Sequence, residues 1–322
     1  MESSRLHPSL RGSLALLLPA LPLLLMPALS QAEALPNALE VDQIAPGIYL
    51  RPGVQEVADA RNHGHIANLG FIVGDERVAV IDAGGSRAEG EGLLSAVRQV
   101  TALPVSYLIL THMHPDHVLG SGVFADAGAQ VIGHANLADA LVRRQDFYVE
   151  GALEHLGAQA EGSRIAMPTV GVAAGESLEL DLGGRVLELR GYPTAHTNND
   201  LSVLDRTTGL LWLSDLLFVE RIPVIDGSLL GWLGVIEQLS ALQVASVVPG
   251  HGPYGVDWKA ALAKQRVYLE AVADGVREQL RTGADLSSAV RSVAMDQRDD
   301  WLLFDDYHGR NVTAAYVELE WE

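Results

Sequence analysis

The sequence predicts a domain that combines α-helices and β-sheets, with the sheets covered by helices. Strand-like segments are concentrated in two stretches, one in each half of the chain, and helical segments flank both stretches. Hydrophobic residues make up 48% of the chain and charged residues 20%, which is the balance of a globular protein with enough apolar material for a core. No linker or low-complexity segment separates the halves, so we predict one domain over residues 33–322.

The first half of this domain alternates between strand and helix patterns. Short segments rich in apolar and β-branched residues predict strands at 47–50, 67–73, 77–81, 105–110 and 131–133. Apolar residues at helical spacing predict a helix over residues 89–100, and a second helix is predicted to begin at His117 and to run to Phe124. Residues 135–165 are mainly helical in pattern, and we expect a loop or lid there.

A glycine-rich segment, residues 170–175, separates the first half from the second. Beyond it, the strand-like segments lie at 177–180, 185–189, 201–204, 210–213 and 244–248. Residues 228–242 have a helical pattern, and residues 258–280 form a strongly amphipathic helical segment. The second half is therefore also predicted to form a sheet with flanking helices.

The first 32 residues have the pattern of a secretory signal peptide. Arg5 and Arg11 form a positively charged start, and residues 13–28 form an apolar run interrupted by prolines. Ser30 and Ala32 place small residues where a signal peptidase requires them, so we predict cleavage after Ala32. An uncleaved membrane anchor is the alternative, but the run is short and proline-broken for a span of about 20 residues.

Charge and cysteine content exclude several classes of function. The chain carries 22 basic and 41 acidic residues, a formal charge of −19, which disfavours nucleic-acid binding. It has no cysteine, so disulfides, thiol nucleophiles and thiolate metal ligands are all excluded. Any nitrogen ligands for a metal must come from the 11 histidines.

Four candidate metal ligands lie within six residues: His112, His114, Asp116 and His117. They directly follow a predicted buried strand. Histidines two positions apart on an extended chain project to the same side, so His112 and His114 can bind one ion. A turn stiffened by Pro115 can direct Asp116 and His117 toward a second ion. Imidazole and carboxylate ligands suit Zn²⁺, with Fe or Mn as alternatives.

The segment HMHPDH resembles the H-x-H-x-D-H signature of the metallo-β-lactamase superfamily. Four further motifs resemble those of that family and occur in the same order. They contain Asp82 in VIDAG, His196 in TAHT, Asp215 in LSDLLF and His251 in VPGHGP. The resemblance runs from about residue 44 to residue 254. It implies the α+β fold of that family, a four-layer αββα sandwich.

The resemblance also implies a ligand set for two metal ions. His112, His114 and His196 would hold one ion, and Asp116, His117 and His251 the other. Asp215 would lie between the two ions. Two closely spaced cations lower the pKa of a shared water, which would attack a carbonyl carbon. Asp116 would be the catalytic residue that orients this water and later moves its proton.

Several other residues are candidates for supporting this centre. Asp82 is predicted to be a structural aspartate that contacts ligands rather than metal. His134 is a candidate pocket residue, and Asn198, Asn199 and Asp200 are candidates to orient His196. His63 and His65 precede a strand, and we interpret them as ordinary loop histidines.

Within the superfamily, the bridging position holds Asp215 rather than cysteine, which resembles the glyoxalase II and lactonase branches more than the enzymes with a cysteine ligand. This implies hydrolysis of an acyl-type bond: a β-lactam, thioester, lactone or ester. The mature chain further resembles the periplasmic quinoprotein relay system zinc metallohydrolases through TAHTNNDLSV, LWLSDLLFVERIPV and YVELEWE. That likeness implies a periplasmic location, a small-molecule substrate and a functional link to a quinoprotein dehydrogenase.

Two alternatives remain at this point. A mononuclear iron oxygenase acting on persulfides uses the same scaffold and most of the same ligands. A non-catalytic accessory factor for quinoprotein maturation is the other alternative, although such a protein is expected to have a degraded metal site, whereas all seven ligand positions are intact here.

Overall fold

The structure is a computed structural model that describes Met1 and residues 38–322. The predicted signal peptide and its cleavage site therefore lie outside the described residues, apart from Met1. Among the helices that the structure describes, none combines the length and the apolar character needed to cross a membrane.

The first sheet has seven strands that pair in sequence order. Strands β1 to β4 pair antiparallel, and β4 to β7 pair parallel. The strands are β1 (Asp42–Ala45), β2 (Ile48–Arg51), β3 (Leu69–Val73), β4 (Val78–Ile81), β5 (Val105–Ile109), β6 (Gln130–His134) and β7 (Val170–Val172).

The second sheet has five strands in the order β12-β11-β10-β9-β8. Neighbours pair antiparallel from β8 to β11, whereas β11 and β12 pair parallel. The strands are β8 (Ser177–Asp181), β9 (Val186–Gly191), β10 (Leu201–Asp205), β11 (Leu210–Phe218) and β12 (Ser246–His251).

The two sheets pack face to face through one apolar cluster. Ile72 and Ile109 of the first sheet and Leu189 and Trp212 of the second are fully buried in it. Burying each of the three aliphatic side chains contributes roughly 1.5–3 kcal/mol. Gly70 leaves room for the indole, because a Cβ there would lie 2.5 Å from Cη2 of Trp212.

Helices cover the outer face of each sheet. The first sheet packs against α1 (Arg87–Val100), α3 (Ser121–Asp126) and α4 (Leu137–Leu156), and the second against α5 (Leu229–Ser240), α6 (Trp258–Thr282), α7 (Leu286–Ser292) and α8 (Phe304–Leu319). A single turn, α2 (Pro115–Val118), completes the set in the described residues. The order helix, sheet, sheet, helix confirms the predicted four-layer αββα sandwich.

Local capping explains where the longer helices begin and end. The Ser86 side chain accepts from the backbone N–H of Glu89 at the start of α1. The Asp257 carboxylate does the same for the first turn of α6, and Gly283, with φ of 73°, ends that helix in the left-handed conformation.

Two sequence-based predictions differ from the structure. The segment 170–175 is not merely a glycine-rich break, because its first residues form β7, where Gly171 allows the backbone to approach Ala135 closely. The helix predicted over 117–124 begins earlier, at Pro115, and is interrupted at Gly120. That glycine contacts the backbone of Ala83 so closely that no Cβ would fit.

The predicted ligands lie where strands of the two sheets end. The segment that follows β5 carries His112 to His117, and His251 is the last residue of β12. Asp215 lies within β11, next to β12. Carboxyl ends of neighbouring parallel strands meet at one edge of a sheet, so this topology collects distant ligands.

Candidate metal centre

Three imidazoles converge at the first cluster. His112 and His114 follow β5, and His196 lies in the loop between β9 and β10. Nδ1 of His114 lies 3.1 Å from Nε2 of His112 and 3.0 Å from Nε2 of His196. His112 and His196 are buried, whereas the side chain of His114 is 13% exposed and borders a cavity.

The second cluster joins the short helix α2 to the end of β12. Asp116 and His117 lie in α2, and Oδ2 of Asp116 is 3.6 Å from Nε2 of His117 and 3.3 Å from Nε2 of His251. Both histidines are buried, and the Asp116 side chain is 14% exposed and faces the cavity.

Asp215 lies between the two clusters. Its Oδ2 is 3.4 Å from Nε2 of His196 and 3.3 Å from Nε2 of His251, and its Oδ1 is 3.2 Å from Nε2 of His117. Gly250 makes this approach possible, because a Cβ there would collide with the Asp215 carboxylate. One carboxylate thus reaches ligand atoms of both clusters.

In all five histidines, the ring nitrogen that faces away from the cluster has a protein partner. His112 Nδ1 pairs with Thr111 Oγ1 at 3.0 Å, His114 Nε2 with Asp226 Oδ2 at 2.9 Å, His117 Nδ1 with Asp82 Oδ2 at 2.8 Å, His196 Nδ1 with the Val224 carbonyl at 2.6 Å and His251 Nδ1 with the Ile66 carbonyl at 2.9 Å. Once a metal displaces any second proton, these partners hold the remaining proton on the outer nitrogen, so the inner nitrogen presents its lone pair to the ion.

Lone pairs that face one another at about 3 Å repel unless a cation lies between them. Within the described residues, Nε2 of His117 and Oδ1 of Asp215 are buried without a hydrogen-bond partner, which is costly without such a cation. Facing ligand atoms form two groups, each within 4.8 Å: His112, His114, His196 and Asp215, and Asp116, His117 and His251. The donor set therefore fits divalent metal ions.

The electrostatics of the two clusters agree with this interpretation. Burial lowers the pKa of His196 to about 3 and that of His112 well below its ordinary value, so both rings are neutral, as metal ligands must be. Burial also lowers the pKa of His117, but the surrounding carboxylates, Asp215 foremost, raise it well above its ordinary value. This excess of negative charge attracts cations.

Asp82 supports ligands of both clusters without facing either one. Its Oδ1 accepts from the backbone N–H of Thr111 at 2.8 Å, and its Oδ2 accepts from the Thr111 hydroxyl at 2.8 Å. Since Oδ2 also accepts from His117 Nδ1, and Thr111 contacts His112, one buried carboxylate orients a histidine of each cluster.

The other predicted supporting residues lie farther from the ligand rings. His134 ends β6, where its Nδ1 accepts from the backbone N–H of Asn136, and it does not line the cavity described below. Asp200 accepts from the backbone and hydroxyl of Thr197 and thus orders the turn after His196.

Asn198 and Asn199 hold that same turn. The Asn198 carbonyl accepts from Asn136, and the Asn199 amide donates to the Asn198 side chain. In the described structure neither asparagine contacts the His196 ring, which the Val224 carbonyl orients instead. His63 is exposed and His65 partly buried in the loop before β3, and neither lines the cavity.

A cavity of about 500 Å³ opens above both clusters. His114, Asp116, Asp215 and His251 border its floor, and apolar side chains such as Leu156 line its walls. Helices α4 and α8 contribute to these walls, so the predicted lid region does border the site.

The cavity wall contains charged residues that sequence reasoning missed. Arg221 is buried, and within the described structure its guanidinium has no carboxylate partner. Its NH2 donates to the Tyr307 hydroxyl at 3.1 Å, its NH1 lies 3.2 Å from His251 Nδ1, and its Nε has no partner. Asp226 and Arg310 form an ion pair at 3.2 Å beside His114. No motif marks these residues. Asp226 and Arg310 are single charges whose partner is distant in sequence, and Arg221 is a single charge without a carboxylate partner in the described structure.

Comparisons with known proteins agree with this architecture. The family model described as "Metallo-beta-lactamase superfamily" matches residues 64–251. The comparison with curated proteins found no match.

Three solved structures illustrate the similarity. The metallo-beta-lactamase from Pontibacter korlensis is 20% identical with a TM-score of 0.58, over 72% of this chain and 99% of that chain. TMB-1 is 20% identical with a TM-score of 0.54, and DIM-1 metallo-beta-lactamase exposed to ceftazidime is 14% identical with a TM-score of 0.57. Both cover 72% of this chain and 97% of their own. At these identities the likeness concerns the fold alone.

Proposed function

Because the chain belongs to the metallo-beta-lactamase superfamily and carries a histidine and aspartate cluster that fits divalent metal ions, we propose that it is a zinc-dependent hydrolase with two ions. Its substrate is a small molecule with an acyl-type bond: a β-lactam, thioester, lactone or ester. Fe or Mn could replace zinc in the same ligand set.

The observation that carries this proposal is the orientation of the five histidines. Each ring has its outer nitrogen fixed by a protein partner and its inner nitrogen directed at a carboxylate or another ring. A structural cluster of histidines has no need for such consistent orientation, whereas a metal centre requires it. Asp215 lies between the clusters at a distance suited to two ions.

Divalent ions held by the two clusters would lower the pKa of a water and polarise a carbonyl group. Residues of this chain would orient the water and transfer its proton. Asp116 borders the cavity floor, so its carboxylate can accept a hydrogen bond from the attacking water, take its proton and return it to the leaving group. Apolar side chains around Leu156 line the walls above this floor.

The cavity also supports a substrate with an anionic group. Arg221 is a buried cation that lacks a carboxylate partner among the described residues, and a buried charge is stable only when it is paired. Its neighbour Tyr307 offers a hydroxyl to the same space. An anionic substituent placed beside His251 would pair with Arg221 and fix the orientation of the acyl group.

We place this activity in the bacterial periplasm, in the service of a quinoprotein oxidation system. The predicted signal peptide over residues 1–32 supports the location. The phrases TAHTNNDLSV and LWLSDLLFVERIPV support the link to a quinoprotein dehydrogenase. Both statements require that the chain is secreted and that it is cleaved after Ala32.

The proposal is tested with the purified mature chain. We expect two zinc ions per chain and hydrolysis of at least one member of a panel of thioesters, lactones, esters and β-lactams, lost on treatment with a chelator and restored by zinc. His112→Ala should lose metal and turnover while it keeps the fold. The matched control is His63→Ala, which removes an exposed loop histidine and should change neither.

Three outcomes would contradict the proposal. Unchanged metal content and turnover in both His112→Ala and Asp116→Ala would exclude the ligand set. Iron in place of zinc, together with oxygen uptake on a persulfide, would identify an oxygenase. Two zinc ions without hydrolysis of any panel member would favour an accessory role in quinoprotein maturation.

A further inference from the structure

His114 differs from the other four histidines of the centre. It directs Nδ1 rather than Nε2 at the cluster, and its outer nitrogen is paired with a carboxylate that is itself partly exposed. The outer nitrogens of His196 and His251 meet backbone carbonyls, which the fold fixes directly. The orientation of His114 therefore depends on how firmly the Asp226 side chain is held.

Residues 223–226 make several contacts to the first cluster. The Val224 carbonyl accepts from His196 Nδ1 at 2.6 Å, and the backbone N–H of Asp226 donates to the His196 carbonyl at 3.0 Å. Asp226 Oδ2 then accepts from His114 Nε2 at 2.9 Å. This short segment thus hydrogen-bonds to two of the three histidines of the first cluster, and in the described structure it makes no hydrogen bond to a ligand of the second.

Helix α8 holds this segment from the other side. The buried side chain of Asn311 accepts from the backbone N–H of Ile225 at 2.9 Å and donates to the Pro223 carbonyl at 2.7 Å. One helical step away, Arg310 NH2 lies 3.2 Å from Asp226 Oδ1. Both oxygens of the Asp226 carboxylate are therefore occupied, one by the histidine and one by α8.

We propose that α8 and residues 223–226 form a bracket for the first metal cluster, in which Asp226 is the positioning residue for His114 and Arg310 is the positioning residue for Asp226. This proposal rests on the proposed function in one respect: His114 must be a metal ligand. It extends the site beyond the segment 64–251 that the family model matches, into the C-terminal helix of this chain.

The bracket positions ligands of the first cluster only. His117 and His251 are oriented by Asp82 and the Ile66 carbonyl, which lie outside the bracket. Loss of the Asp226 carboxylate should therefore weaken zinc at the first cluster by about 10- to 100-fold, the usual effect of removing a group that orients a metal ligand. Zinc at the second cluster should bind as in the wild type.

The experiment is a zinc titration of the metal-free mature chain in competition with a chromophoric chelator, with circular dichroism to verify the fold. Asp226→Ala should show one weakened step and one unchanged step, and Asp226→Asn, which keeps an acceptor for His114, should restore most of the affinity. Arg310→Gln should weaken the same step by about 2- to 5-fold, as expected for a partly exposed ion pair. The matched control is Arg144→Gln, an arginine in the same cavity wall that does not pair with Asp226.

A double variant tests whether Arg310 acts through Asp226. Asp226→Ala with Arg310→Gln should bind zinc no more weakly than Asp226→Ala alone. A second readout is the downfield proton resonance of His114 Nε2–H in the zinc-loaded chain, which the acceptor protects from exchange. We expect it in the wild type and in Asp226→Asn, and we expect it to be lost in Asp226→Ala.

The proposal is overturned if Asp226→Ala binds both zinc ions with wild-type affinity, or if the two substitutions weaken binding additively. Failure of the wild-type chain to bind zinc would instead overturn the proposed function, so the two failures are distinguishable.

Discussion

The substitution Asp82→Asn removes one acceptor atom from the most connected side chain of the centre. The amide oxygen can still accept from the backbone of Thr111, but an NH₂ group replaces the oxygen that faces the Thr111 hydroxyl, the Ser214 hydroxyl and His117 Nδ1. Both hydroxyls can rotate and accept from the amide. His117 has no such freedom once a metal is bound, because Nε2 must then be the unprotonated nitrogen.

The expected magnitudes follow from that difference. Without metal, the carboxylates raise the pKa of His117 well above its ordinary value, so His117 Nδ1–H loses its charged acceptor in the variant. The free energy of unfolding should therefore fall by about 1.5–3 kcal/mol, the contribution of one hydrogen bond to a charged group. With zinc, two N–H groups face each other, and affinity at the second cluster should fall by about 10- to 100-fold. This corresponds to roughly 1.4–2.7 kcal/mol.

The assay is urea unfolding of wild type and variant, each with a chelator and with saturating zinc. Thr111→Val is the companion variant, because it breaks the contact to His112 and should therefore weaken zinc at the first cluster only. If Asp82→Asn lowers stability equally with and without zinc, Asp82 supports the fold alone, and its assignment as an orienting residue for His117 is refuted.

Three further predictions concern the cavity, an ion pair at the edge of the second sheet, and the core. Arg221→Gln should lower kcat/KM for an anionic ester by about 10- to 100-fold more than for its neutral analogue, since one charge-assisted hydrogen bond to the substrate is lost. An equal loss for both esters would contradict the anionic substrate. Burial raises the pKa of Asp205, but hydrogen bonds from Arg185 lower it below the ordinary value. The carboxylate therefore stabilises the fold above about pH 3.9 and loses this effect as the pH falls further. Asp205→Asn should cost about 3 kcal/mol at pH 7, and calorimetry should show the gap to wild type narrowing in acid; a gap that does not depend on pH would refute this. Gly70→Ala should lower stability by about 1–3 kcal/mol through overpacking, whereas Gly234→Ala, on an open helix face, should not lower it.

The sequence predicts much of the centre because metal ligands follow strict chemical rules. Only a few residue types bind such ions, and His112, His114 and His117 stand at spacings that an extended strand end and a following turn require. The strands that deliver them are continuous apolar runs, which also makes β4 and β5 easy to recognise. The two-sheet architecture follows from the same alternation of strand and helix segments.

The residues around the ligands could not be predicted in this way. Asp226 and Arg310 are common surface residue types, and their roles depend on contacts across 112 and 84 positions of the chain, with His114 and with each other. Arg221 belongs to a segment that reads as an ordinary continuation of β11. Strand β7 was not predicted because the glycine at its centre suggested a turn. In the structure, Gly171 instead allows a close backbone contact within the sheet.

The central claim is that two metal ions lie between the histidines and aspartates of this one chain. The most direct test is a crystal structure of the zinc-loaded mature chain with anomalous scattering recorded on both sides of the zinc edge. We predict two peaks about 3.5–4 Å apart, as in two-metal sites. One should lie among His112, His114 and His196, and the other among Asp116, His117 and His251. A single peak, or none, would contradict the account.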